Sequence, residues 1–163
     1  MSLLQRSDKT LSSIVMDRFS DQTEKVLRRA GWFPGRQVPE AVASWKTNEM
    51  LSEFEMFPSA ERVLLEFGGL KVREQGPGET CAREPFDVDP LQAGYEQDMF
   101  SDYSATVNTR LYPLGEVAGG LGYWAIGDND HIYLLIHTIQ LLGQNIDEAL
   151  ENLIIGRQAT EIV

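Results

Sequence analysis

Apolar and polar positions alternate along this chain in three regimes: helical spacing first, then strand spacing, then helical spacing again. In SDQTEKVLRRA, Val26, Leu27 and Ala30 recur at helical intervals. Ser20 or Asp21 can cap that helix, with Glu24 completing a capping box, and Arg28 and Arg29 suit the negative end of its dipole. A second helical region starts near Pro39 and carries Val42, Trp45, Leu51 and Phe54, with the polar Lys46-Thr47-Asn48 able to break it. Pro58 suits the first turn of a third helix, in which Val63, Leu64 and Phe67 face inward before Gly68-Gly69 ends it.

Strand signals follow. LKVR begins a strand, and QGPGET, the strongest turn signal, reads as the loop of a hairpin joining Leu70–Arg73 to roughly Cys81–Phe86. Asp89-Pro90 starts a short helix expected to carry Tyr95, Met99 and Phe100. RLYPLGEV reads as a strand that Pro113 confines to an edge or a bulge. LGYWAI and HIYLLIHTIQLL read as two strands around a GDND turn. The second is apolar on both parities, as a central strand covered on both faces would be. Asn145 and Glu148 cap a last helix with a stripe of Ile146, Ala149, Leu150, Leu153 and Ile154, which Gly156 stops. Helices, then strands, then a helix is an α+β order. It predicts a mostly antiparallel (mixed) sheet of about four to six strands packed with N-terminal helices and a C-terminal helix. Alternating βα units are absent. Residues 1–18 form a weakly patterned extension, and 19–163 read as a single domain.

Composition narrows the setting. No stretch approaches the ~18 apolar residues of a membrane span, and MSLLQRSDKT has no apolar run before its charges, so no secretory signal is expected. The one cysteine, Cys81, excludes an internal disulfide and fits a reducing, cytoplasmic compartment. Charge changes the picture more. The net charge is −11, and it is unevenly placed. Residues 1–50 hold eight bases and six acids; residues 51–163 hold six and nineteen. Between Glu84 and Glu151 the only base is Arg110. Binding to a phosphate backbone or an anionic membrane needs the opposite sign, so neither is expected, whereas a basic protein partner is the natural complement.

Four local patterns invite chemistry. AGWFPGR (30–36) has the glycines and the base of a phosphate loop. It follows a helix instead of opening one, so Gly31 reads as a C-terminal cap, Trp32 and Phe33 as folding back onto the sheet, and Pro34-Gly35 as a type II turn. GGLG (119–122) precedes a strand and lacks the Lys-Ser/Thr of a Walker loop. Cys81, His131 and His137 could make a Cys–His site, but six residues of extended strand separate the two histidines by about 20 Å, and only Arg83 near Cys81 would lower a thiol pKa. GDNDH (127–131) starts like a calcium loop, yet Ile139 stands where the bidentate glutamate belongs. No catalytic, metal or cofactor site is expected.

AGWFPGRQV, LLEFGGLKV, RLYPLGEV and GQNIDEALENLIIGR, in that order, resemble the third subfamily of the SUKH superfamily of bacterial immunity proteins, over about residues 19–157. The resemblance implies an α+β interaction scaffold without enzymatic activity. It further implies a cytoplasmic protein, often encoded beside polymorphic toxins, that neutralises a cognate toxin by binding it; many such toxins act on nucleic acid. The residues that match, Gly31, Trp32, Pro34, Gly35, Arg36, Phe67, Gly68, Gly69, Pro113, Gly115 and Gly143, are implied to define the fold. Asp130-His131 departs from the family at the GDND turn. Charge and resemblance together nominate an acidic, partner-binding belt of Asp87, Asp89, Glu96, Asp98, Asp102, Glu116, Asp128 and Asp130, with Tyr95 and Tyr103 as aromatic anchors. Tyr123 and Trp124 are further anchors unless the core claims them. A general regulatory adaptor of the same fold is the alternative function.

Overall fold

The computed structural model describes residues 18–162, so the expected extension lies outside the described residues except for Arg18. Helix α1 (Asp21–Ala30) starts where Ser20 Oγ accepts the Thr23 N–H. It ends at Gly31, φ 113°, where the Gly31 and Trp32 N–H groups close back on the Arg28 and Leu27 carbonyls. Helix α2 (Pro39–Thr47) is broken at Asn48, as the polar run suggested, and a 3-10 turn (Glu49–Leu51) follows. Helix α3 (Pro58–Phe67) carries proline in its first turn. Helix α4 (Gln97–Val107) and helix α5 (Ile146–Ile155), the latter capped by Asn145 and stopped by Gly156 at φ 82°, complete the α-helices among the described residues.

The strands are β1 (Lys71–Val72), β2 (Gly76–Pro77), β3 (Ala82–Arg83), β4 (Phe86–Asp87), β5 (Leu111–Val117), β6 (Gly122–Gly127), β7 (Ile132–Ile136), β8 (Thr138–Gly143) and β9 (Thr160–Glu161). Seven of them form one antiparallel sheet, ordered β1-β4-β5-β6-β7-β8-β9, while β2 and β3 pair separately. Side chains alternate between two apolar clusters. Trp124, Ile126, Ile132 and Leu142 join the cluster beneath α1, α2, α3 and α5. Ala125, Tyr133, Leu135 and Ile139 join a smaller one beneath α4. The fold is thus α+β, with a C-terminal helix.

Four local expectations need correction. HIYLLIHTIQLL is two strands, β7 and β8, folded over a turn at His137 (φ 64°); Ile136 pairs with Thr138. Its double apolar parity comes from two short strands in series, and the sheet is wider than expected for the same reason. QGPGET is itself partly paired: β2 lies inside it, and the reversal falls between Pro77 and Ala82, with β1 pairing to β4 beyond. The segment after Asp89-Pro90 is a 3-10 turn (Pro90–Ala93) and then α4; Tyr95 falls between them instead of on a helix. Phe33 is 53% exposed, and Trp32 packs on the Phe19 and Phe67 rings, with its indole N–H bonded to Glu66 Oε2 at 2.9 Å. Phe33 therefore stays at the surface, while Trp32 joins the core cluster that the sheet shares.

Pro113 satisfies both readings given to it. The register slips between Pro113 and Gly115, a bulge that places Leu114 at zero exposure. Strand β4 pairs with β5 only at Val117, leaving the proline side of β5 without a strand partner. Gly115 is where the bulge presses on the neighbouring chain: a Cβ there would lie 2.2 Å from the Asp87 carbonyl oxygen.

Candidate partner-binding surface

The basic residue of AGWFPGR is spent inside the fold. Gly35, φ 84°, occupies the third position of a type II turn closed by Arg36 N–H to Phe33 C=O at 3.1 Å. That turn aims Arg36 at the end of α3, where Nη1 donates to Glu66 C=O at 2.6 Å and Nη2 to Gly68 C=O at 2.7 Å. Burial pushes the guanidinium pKa down, but it still satisfies carbonyls that α3 leaves open.

The other arginines are also used internally. Arg18 bonds Glu66 at 2.9 Å and Asp147 at 2.8 Å, which ties α3 to the start of α5 and raises its own pKa, chiefly through Asp147. Arg62 reaches Asp130, Arg73 reaches Asp87, Arg157 reaches Glu79, and Arg110 bonds both Glu55 and Asp128. Among the described residues, eight of nine arginines lie within 4 Å of a carboxylate, and Arg36 alone takes backbone partners instead. The charge left over for solvent is negative.

The ten residues nominated as partner contacts fall into three places. Asp87 is 9% exposed and accepts from Arg73 Nη1 and Gln92 Nε2, both at 2.6 Å; Asp89 caps the 3-10 turn through the Leu91 N–H. Both serve the fold. Asp128 and Asp130 are exposed in the β6–β7 turn, each in an ion pair. The remaining six gather around α4 and the facing ends of β5 and β6. Glu96 precedes α4, Asp98 and Asp102 stand exposed on it, and Glu116 of β5 pairs across with Tyr123 of β6. None of these four carboxylates is in an ion pair among the described residues. Burial, followed by the charges of Glu96 and Glu116, raises the Tyr123 pKa. Tyr95 is 84% exposed, whereas half-buried Tyr103 donates its hydroxyl to His137 C=O at 3.2 Å and holds α4 to the β7–β8 turn. Trp124 belongs to the core, fully buried with its indole N–H on the Asp87 carbonyl at 2.8 Å.

Sequence reasoning missed Leu121, 72% exposed at the start of the same β5–β6 end. The signal was present in GGLG, where the glycines drew attention to backbone geometry and away from the one large side chain among them.

The reactive residues do not converge. Cys81 lines a groove of about 310 Å³ beside α5, and His131 lines a separate cleft of about 840 Å³ between α3 and the α5 start. His137 sits at the opposite end of β7 from His131. Burial and Glu84 push the Cys81 thiol pKa up, away from a nucleophile. Among the described residues, no group of three His, Cys, Asp or Glu is placed to hold a metal, and no helix is long and apolar enough to cross a membrane.

An antiparallel sheet with helices on both faces, arginines paired with carboxylates and, among the described residues, unpaired carboxylates around α4 defines an α+β protein whose distinguishing feature is a surface. The family model "SUKH-3 immunity protein" matches residues 19–156, and the chain belongs to that family. Comparison with curated proteins and with solved structures gives no significant match.

Proposed function

We propose that this immunity protein acts in the cytoplasm by binding a cognate polymorphic toxin and occluding it, without catalysis, and that the toxin is a basic protein acting on nucleic acid. Family membership supports the immunity role. The observation that carries the choice of partner is the pairing of charges. With eight of the described arginines paired to carboxylates, the protein presents Glu96, Asp98, Asp102 and Glu116 around α4 with no ion-pair partner among the described residues. An enzyme that binds nucleic acid displays lysine and arginine where the phosphates sit, and a carboxylate surface is drawn to that region. The same field repels nucleic acid and anionic lipid from this protein.

Co-production with the toxin domain encoded by the neighbouring gene tests the reading. Cells arrested by the toxin should grow when this protein is present, and the two should co-elute in gel filtration. Continued arrest with every toxin domain encoded nearby would discard the immunity reading in favour of a regulatory adaptor.

A further inference from the structure

Among the described residues, four large apolar side chains are well exposed: Phe33, Tyr95, Leu121 and Ile162. The two most exposed, Tyr95 and Leu121, lead into elements that pack together: α4 begins at Gln97 and β6 at Gly122, and the Phe100 and Tyr123 rings lie 6.1 Å apart. Tyr95 immediately precedes Glu96 at the entry to α4. Leu121 immediately precedes β6, and Tyr123, two residues on, pairs with Glu116 of β5 and packs its ring on Phe100 of α4. The β5–β6 turn closes by bonds from Ala118 N–H to Pro85 C=O and from Leu121 N–H to Ala118 C=O, so Leu121 is carried on an ordered turn. Nothing among the described residues covers either side chain.

We infer that Tyr95 and Leu121 are the apolar anchors of the toxin interface, and that their occupant is an apolar recess on the toxin rimmed by lysine and arginine. This rests on the immunity reading and adds which surface is used and how its work is divided. The rim chemistry follows from Glu96, Asp98 and Glu116, which carry no cationic partner among the described residues. A second copy of this chain seated here would oppose carboxylate to carboxylate, so the complement is a cationic surface. Interface energy concentrates in a few well-covered aromatic and aliphatic anchors, while a charged rim governs encounter. The two sets therefore separate kinetically.

The experiment immobilises the catalytically inactivated toxin domain of the neighbouring gene and follows binding by surface plasmon resonance at low and high salt. The Tyr95→Ala/Leu121→Ala variant should dissociate at least about 100-fold faster, roughly tenfold for each anchor at 1.4 kcal/mol per decade. Its association rate should stay within about threefold of wild type, and the excess dissociation should persist at high salt. Phe33→Ala, which removes an exposed aromatic elsewhere, should leave both rates unchanged. Circular dichroism melts should match throughout, since neither anchor is buried. Unchanged dissociation of the double variant, with wild type binding normally, would overturn the anchors and leave the immunity role intact; so would an equal effect of Phe33→Ala. No binding by wild type to any neighbouring toxin domain would remove the anchors and the immunity role together.

Discussion

Asp87 carries its charge in a mostly buried position because Arg73 and Gln92 both donate to it. Burial alone would raise its pKa. The two bonds and the Arg73 charge outweigh burial, and the carboxyl titrates below its ordinary value. A lowered folded-state pKa contributes stability that is complete above the unfolded value, about 3.9, and is lost as pH falls through the folded value. Asp87→Asn keeps the shape but not the charge, so it should cost roughly 1.5–3 kcal/mol at neutral pH, the usual worth of hydrogen bonds to a charged group. The gap from wild type should narrow as pH falls below the unfolded value and on through the folded one. Urea unfolding midpoints at pH 7 and pH 3 measure it, and a gap that ignores pH would contradict this role. The sequence showed Asp87 only as one acid among many. What sets it apart is a partner fourteen residues away, across the β1–β4 pairing, and Arg36 is opaque for the same reason: its turn was legible, but the α3 carbonyls it satisfies were not.

Elements with local punctuation were readable. Ser20, Asn145, Gly31 and Gly156 mark helix ends by chemistry that acts within four residues, and each sits where that chemistry placed it. The β7–β8 hairpin was not readable, because no glycine, proline or Asn-Gly pair marks its reversal. His137 turns the chain at φ 64°, with Tyr103 donating to its carbonyl from α4 across the sheet. Tertiary contact therefore supplies what local sequence does not. An L-residue in that conformation costs about 1–2 kcal/mol relative to glycine's free access. His137→Gly should accordingly raise stability by up to about 1 kcal/mol, a shift of about 2–4 °C in Tm for a chain of this size. His137→Val, branched at Cβ, should lower it by a similar amount. If both substitutions destabilised equally, the cost would lie with a lost imidazole contact and not with the backbone.

The net charge of −11 is expressed unevenly because eight of the described arginines are paired with carboxylates. Two distributions of the resulting field give different expectations. If steering comes from the whole molecule, any charge reversal should slow encounter with the toxin to the same degree. If it comes from the unpaired carboxylates around α4, position should matter. Asp98→Lys/Asp102→Lys and Asp128→Lys/Asp130→Lys each shift the net charge by four units, at the α4 surface and at the opposite end of β6 respectively. The second pair begins in exposed ion pairs, worth about 0–1 kcal/mol, so neither change should unfold the protein. At roughly 20 mM salt the α4 reversal should slow association with the toxin by about tenfold, and the turn reversal by less than about threefold. Both rates should converge on wild type near 1 M salt, where the screening length falls to about 3 Å. Stopped-flow mixing across that salt range reads the comparison directly. Equal slowing by the two variants would assign steering to the belt as a whole, and no slowing by the α4 reversal would remove the carboxylates around α4 from the encounter altogether.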